Sequence, residues 1–225
     1  MLTAVIFDFD GVIVDTEPLH YKAFQQVLTP LGLGYSWEHY VAHYMGFDDR
    51  DAFHEVFKAG GRSITVFELD QLIERKSRAF QEGIANGVSA YPGAVELIRS
   101  LSGQLPIALC SGALPSDINP ILKQLGLAAA FDVIVTAVDV AASKPDPASY
   151  LLAVERLSRA FADSSICAEN CIAIEDTPGG IASATAAGVA ALAVTNSYTA
   201  DRLKGPILIV DTLCGITLDI LQTLV

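Results

Sequence analysis

A doubly wound α/β fold, a parallel sheet with an inserted α-helical cap, is predicted for this chain by three observations. From about residue 106 onward, short apolar strands alternate with helical segments, the pattern of units that build a parallel sheet. Several of those strands run directly into polar or charged residues, as strands do where the carboxyl edge of a sheet carries a site. Between the first strand and the resumption of the alternation lies a long stretch of helical period without a strong strand.

The elements follow in order. Val5, Ile6 and Phe7 read as a central strand, buried on both faces. Helical period then places Leu19, Ala23, Phe24 and Val27 on one face of a segment from Pro18 to Leu31. Further helical patterns run from Asp51 to Phe57 and from Phe67 to Phe80, and the segment closes at 83–87. Tyr91-Pro92-Gly93 opens a new helix. Strands are then expected at Pro106–Cys110, Val133–Thr136, Cys171–Ile174, Ala191–Val194 and Ile207–Val210. Helices fall at Asp117–Leu125, Ala148–Phe161 and Gly180–Ala187, with a last short one reaching Leu221. The expected division is a core of residues 1–15 and 89–225, interrupted by a helical cap over 16–88.

At 225 residues the chain can bury one full core, or one core and a smaller unit. Its apolar fraction is 52%, yet no apolar run approaches a membrane span. Met1-Leu2-Thr3 offers no positive leader, so a soluble, cytoplasmic protein is expected. Cys110, Cys167, Cys171 and Cys214 are too scattered for a disulfide framework and lack a second soft pair for zinc, so they read as core thiols. A formal net charge of −12 argues against nucleic acid or an anionic membrane as partner. The same field would repel a phosphate ester, so any attraction must come from a local cation.

The strand ends supply one. The first strand runs into Asp8-Phe9-Asp10-Gly11, and an extended chain would set the two carboxylates roughly 7 Å apart on one face. The second runs into Ser111-Gly112, the third leads to Lys144-Pro145, and the fourth into Glu175-Asp176 and Thr177-Pro178-Gly179-Gly180. Each has an ordinary alternative. The aspartates could form a solvated loop or structural ion site, and Ser111 could cap a helix. Lys144 could be a surface lysine, and Glu175-Asp176 could complement a helix dipole. Together, four carboxylates at one edge call for a hard cation with oxygen ligands, Mg²⁺. The lysine, serine and backbone amides suit a phosphate.

In the order "DFDGVIVDTE", "CSGA", "SKPDP" and "IEDTPGGI", the chain resembles the haloacid dehalogenase superfamily over essentially its whole length. The resemblance is to the small-cap branch of phosphoglycolate phosphatase-like enzymes, sugar-phosphate phosphatases and β-phosphoglucomutase. It implies that Asp8 is a nucleophile forming an aspartyl phosphate, and that Asp10 is an acid-base with a raised pKa. It implies metal ligation by Asp8, the Asp10 carbonyl and Asp176, with Glu175 ligating directly or through water. Lys144, Ser111 and Gly112, beside Gly11, would hold the phosphate. His20 and Lys76 match cap positions that face substrate, and Gly46 to Asp51, "GFDDRD", matches a specificity loop whose Arg50 would meet an anionic or sugar group. Asp15-Thr16 and Ala90-Tyr91 are the expected hinges.

The implied activity is Mg²⁺-dependent hydrolysis of a small phosphorylated metabolite: a sugar, polyol or short-acid phosphate. The mutase is the rival within the family, but it usually places an arginine where this chain has Asp49. A phosphoacceptor module is the rival of another class; it needs about half this length and lacks the second aspartate. A degenerate binding protein is a third, though every catalytic position is filled. A monomer or weak dimer is expected.

Overall fold

The computed structural model describes residues 1–85 and 87–225; of the closing segment 83–87, Asn86 lies outside the described residues. Six strands form one sheet in the order β3-β2-β1-β4-β5-β6, every pair parallel. They are β1 (Ala4–Phe7), β2 (Ile107–Cys110), β3 (Val133–Val135), β4 (Cys171–Glu175), β5 (Ala190–Val194) and β6 (Leu208–Val210). The chain steps outward from β1 through β2 to β3, then returns to β4 on the other side of β1. The reversal therefore lies between β1 and β4, the place where open parallel sheets leave a crevice beyond their carboxyl ends.

The alternation of side chains along the central strands divides the core in two. Val5, Phe7, Ile107, Leu109, Ile172 and Ile174 belong to one apolar cluster, with Leu97, Ile98, Ile118 and Ile121 of the helices α5 (Ala94–Leu101) and α6 (Pro115–Gln124). Ala4, Ile6, Ala108, Cys110 and Ala173 belong to the other. That face carries smaller residues and is covered by α7 (Ala148–Phe161) and α8 (Pro178–Ala186) through Tyr150, Ala153, Leu157, Ile181 and Ala184. A final helix, α9 (Leu218–Gln222), buries Leu221.

Between β1 and α5 the described residues form only helices: α1 (Glu17–Leu28), α2 (Trp37–His43), α3 (Asp49–Ala59) and α4 (Val66–Ile84), besides one single turn. They share a third cluster, built on Phe24, Val27, Leu28, Phe53, Val56, Leu69 and Leu72. Where the chain leaves and rejoins the sheet region, the two crossings lie side by side. Val14 bridges Ala90, the Asp15 amide donates to the Ser89 carbonyl at 3.0 Å, and that of Tyr91 donates to Ile13 at 2.9 Å.

Three expectations need correction. Helix α2 goes unanticipated in the sequence because Tyr40 is its only buried residue, so no apolar stripe marks it. The strand geometry expected for Asp8 and Asp10 does not extend that far: β1 ends at Phe7, and Gly11 (φ +79°) turns the chain. Cys110 and Cys171 are buried, but Cys214 is exposed and is no core thiol. Among the described residues no helix is long and apolar enough to cross a membrane.

Candidate active site

Asp8 follows β1 directly, and Glu175 and Asp176 close the neighbouring β4, so the sheet itself sets three carboxylates side by side. One oxygen from each lies within 4.8 Å of the others. Lys144, from the loop before α7, reaches across them. Its ammonium donates to Asp8 Oδ1 at 2.7 Å, Glu175 Oε1 at 2.6 Å and the Cys110 carbonyl at 3.0 Å. Burial works against the charged lysine, but Asp8 and Glu175 more than offset it and hold its pKa well above the ordinary value.

One cation for three buried carboxylates leaves two negative charges without a partner if all three ionise. Burial pushes Asp8 up to about 8, partly opposed by Lys144 and reinforced by Glu175 and Asp10. Asp176 is raised well above the carboxylate range, first by burial and then by Asp8 and Glu175. Ser197 donates to Asp176 Oδ2, while Asp176 Oδ1 is buried without a hydrogen-bond partner among the described residues. Hard oxygens, excess negative charge and an orphaned acceptor suit a divalent cation such as Mg²⁺. Glu175 differs from the other two. Its Oε1 accepts from both Lys144 and Tyr150, the latter at 2.6 Å, and its Oε2 from the Asp176 amide at 3.3 Å.

Two glycines let these groups meet. A Cβ on Gly11 would stand 1.8 Å from Asp176 Oδ2, and one on Gly180 would stand 2.0 Å from Glu175 Oε2. Gly11 thus packs against a carboxylate as well as making the turn, and Asn196 holds its carbonyl at 2.7 Å.

Asp10 stands apart from the carboxylate cluster. Thr16 donates to its Oδ1, and His20 Nε2 lies 3.2 Å from the same oxygen. Burial pushes its pKa up, but the charge and hydrogen bond of His20, with Thr16 and Lys76, bring the net shift below the ordinary value. This corrects the expected elevation: the helical partners favour the ionised carboxylate. His20 stacks on Phe80 with centroids 4.1 Å apart.

The helical side closes over this edge. Asp8, Asp10, His20, Gly46, Gly112 and Lys144 line one cleft, with Asp49, Phe47 and Thr177. Gly46 approaches Thr177, and Gly112 approaches Asp48. Ser111 is buried at the end of β2, and its hydroxyl accepts from the Ala113 amide at 3.0 Å, while Leu114 stands at the helix cap.

Two expected substrate contacts are placed otherwise. Arg50 donates to Asp48 Oδ2 at 3.0 Å and to the carbonyls of Ala137 and Val140 at 3.1 and 3.3 Å. Buried Asp48 and two main-chain acceptors outcompete an open cleft for its guanidinium. Lys76 is 1% exposed, with its ammonium 2.7 Å from both His20 Nδ1 and Asp49 Oδ1. It lies over the rings of Phe24 and Phe80 and so supports the wall instead of facing the cleft.

The residues that sequence reasoning missed are Tyr150, Asn196 and Ser197. The last two were accessible: β5 also runs into polar residues, Thr195-Asn196-Ser197, and the rule applied to four other strand ends finds them. Tyr150 carries no such signal, because an aromatic on the inner face of α7 reads as core.

Residues 5–194 match the family model described as haloacid dehalogenase-like hydrolase. The chain is 30% identical over 190 residues to the phosphorylated carbohydrates phosphatase of Thermotoga maritima, covering 84% of this chain and 82% of the relative. It is likewise 30% identical to the fructose-1-phosphate phosphatase YqaB of Escherichia coli, covering 84% and 95%. A crystal structure of β-phosphoglucomutase from Clostridium difficile superposes with a TM-score of 0.86 at 25% identity, over 100% of this chain and 97% of that one. With carboxylates, lysine and glycines gathered at the sheet reversal and the family match spanning β1 to β5, this chain belongs to the haloacid dehalogenase-like hydrolases.

Proposed function

We propose that the protein is a Mg²⁺-dependent phosphatase of a small phosphorylated metabolite, acting through an aspartyl phosphate on Asp8. The observation that carries this reading is the Lys144 ammonium shared by Asp8 and Glu175, beside Asp176, whose Oδ1 has no partner among the described residues. A nucleophilic carboxylate, a fixed cation and a hard-metal cluster together answer the charge of a transferring phosphoryl group. Asp8, Asp176 and the Asp10 carbonyl would hold the metal. When bound, Mg²⁺ supplies charge neutralisation at the phosphate oxygens. Glu175, occupied by Lys144 and Tyr150, would meet it chiefly through water.

In this reading an Asp8 oxygen attacks phosphorus and the bond to the ester oxygen breaks. Asp10 gives that oxygen its proton, then takes one from the water that cleaves the acyl phosphate. Because its partners favour the ionised form, the proton has to be drawn to Asp10 by the incoming phosphate's negative charge. Ser111 and the Gly112 amide steady the phosphoryl group. Residues 16–88 act as a cap on the core of 1–15 and 89–225, excluding water and selecting the substrate.

The test is steady-state hydrolysis of p-nitrophenyl phosphate and a panel of sugar and polyol phosphates with Mg²⁺. Asp8→Asn is expected to remove turnover while leaving the circular dichroism spectrum unchanged, since the amide cannot form the intermediate. Appreciable Mg²⁺-dependent hydrolysis by a clean Asp8→Asn preparation would sink the proposal. Mutase transfer is disfavoured by Asp49, and glucose 6-phosphate appearing from β-glucose 1-phosphate faster than free phosphate would reverse that preference.

A further inference from the structure

Resting on the phosphatase reading, we infer that Asp49 makes the cleft selective for esters whose distal end is neutral and rich in hydroxyls. Esters ending in a carboxylate or a second phosphate are rejected. Asp49 lines the same cleft as Asp8 and Lys144. One of its oxygens accepts from Lys76 at 2.7 Å, while the other, Oδ2, is buried and has no hydrogen-bond partner among the described residues. A buried carboxylate oxygen without a donor is satisfied by a hydroxyl and repelled by another anion.

The distribution of charge on the helical wall points the same way. Glu17 also lines the cleft, with one oxygen accepting from the Tyr40 hydroxyl at 2.6 Å. The cations that could have received a distal anion are both engaged. Lys76 is enclosed by Asp49, His20 and two aromatic rings, and Arg50 is turned onto Asp48 and two carbonyls. Lys144 is held at the phosphoryl end by Asp8 and Glu175. Phe47, half exposed on the cleft wall, offers an apolar face to the carbon–hydrogen side of such a ligand. The wall therefore presents acceptors and an aromatic face, which is how a site recognises a sugar or polyol.

Matched ligand pairs test this. Binding of sorbitol 6-phosphate against 6-phosphogluconate, and of fructose 1-phosphate against its 1,6-bisphosphate, is measured by calorimetry on the Asp8→Asn protein with Mg²⁺. The wild type is assayed for turnover on the same pairs. The neutral member of each pair is expected to be preferred at least about tenfold. Asp49→Asn is expected to shrink that ratio by at least about tenfold, because it removes the repelling charge. Equal affinity within both pairs, or a ratio unmoved by Asp49→Asn, would overturn the inference. Failure of the phosphatase reading looks different: the preference persists in calorimetry while no ester, p-nitrophenyl phosphate included, is hydrolysed.

Discussion

At the scale of single residues, the geometry of the cleft rests partly on groups that do not line it. Tyr150 is fully buried, and its hydroxyl donates to the Glu175 oxygen that also receives Lys144, while the Lys144 ammonium lies 5.0 Å from its ring centre. A hydrogen bond to a charged acceptor contributes about 1.5–3 kcal/mol. Tyr150→Phe keeps the ring and deletes that donor, together with the hydroxyl's long contact to the Lys144 ammonium at 3.5 Å. We expect its melting temperature to fall by several degrees. We also expect kcat to drop by about tenfold with little change in KM, since Lys144 loses a fixed counter-ion while the cleft wall is untouched. Unchanged kcat and melting temperature would show that Glu175 is held adequately by Lys144 and the Asp176 amide. Tyr150 also marks where sequence reading stops. Asp8, Lys144 and Asp176 stand at strand ends and could be read there; a hydroxyl on an inward aromatic acquires meaning only once the glutamate opposite is in place. Lys76 and Arg50 show the converse limit. Both types are legible as cations, but their partners, Asp49 and the carbonyls of Ala137 and Val140, come from distant segments.

At the scale of elements, the sheet was readable almost strand by strand because each strand is a short apolar run bounded by turn residues. Boundaries moved by a residue or two, as at β2, expected from Pro106 and observed from Ile107. Helix α2 escaped because a seven-residue helix with one buried side chain has no period to detect. Helix α8 carries information that propensity would misjudge. Two glycines follow Pro178 in its first turn, and Ala is ordinarily preferred to Gly within a helix by about 1 kcal/mol. At Gly179 an added Cβ would meet nothing within 4 Å, whereas at Gly180 it would strike the Glu175 carboxylate. Gly179→Ala is therefore expected to be neutral or slightly stabilising in chemical denaturation. Gly180→Ala is expected to cost about 1–3 kcal/mol, the usual penalty of overpacking. Equal effects at the two positions would mean that Glu175 moves aside freely.

At the scale of the whole molecule, the raised carboxylates couple stability to pH. Asp8 and Asp176 hold protons more tightly folded than unfolded, where the ordinary value is 3.8. The folded state thus carries the extra protons, and their contribution is lost as pH rises toward about 8, the folded value of Asp8. Asp10, shifted the other way, contributes a constant amount above its ordinary value of 3.8 and leaves the trend at higher pH unchanged. Metal-free protein is expected to melt at a lower temperature at about pH 8 than at about pH 5. Mg²⁺ should raise the midpoint more at the higher pH, because it binds the ionised cluster. A Mg²⁺ increment independent of pH would count against metal binding by these carboxylates. The paired crossings at Val14–Ala90 and Asp15–Ser89 have a mechanical consequence. Two adjacent, mutually bonded segments would act as a single pivot, so displacement of the helical segment would grow with its distance from that line. Thr16 and His20 lie a few residues from that line, and the Lys76 ammonium ties His20 to Asp49, so these groups would turn as one body. Opening would thus swing Asp49 and His20 together, and it would have to break the bonds from Arg50 to the carbonyls of Ala137 and Val140, which latch the helical segment to the sheet side far from the pivot.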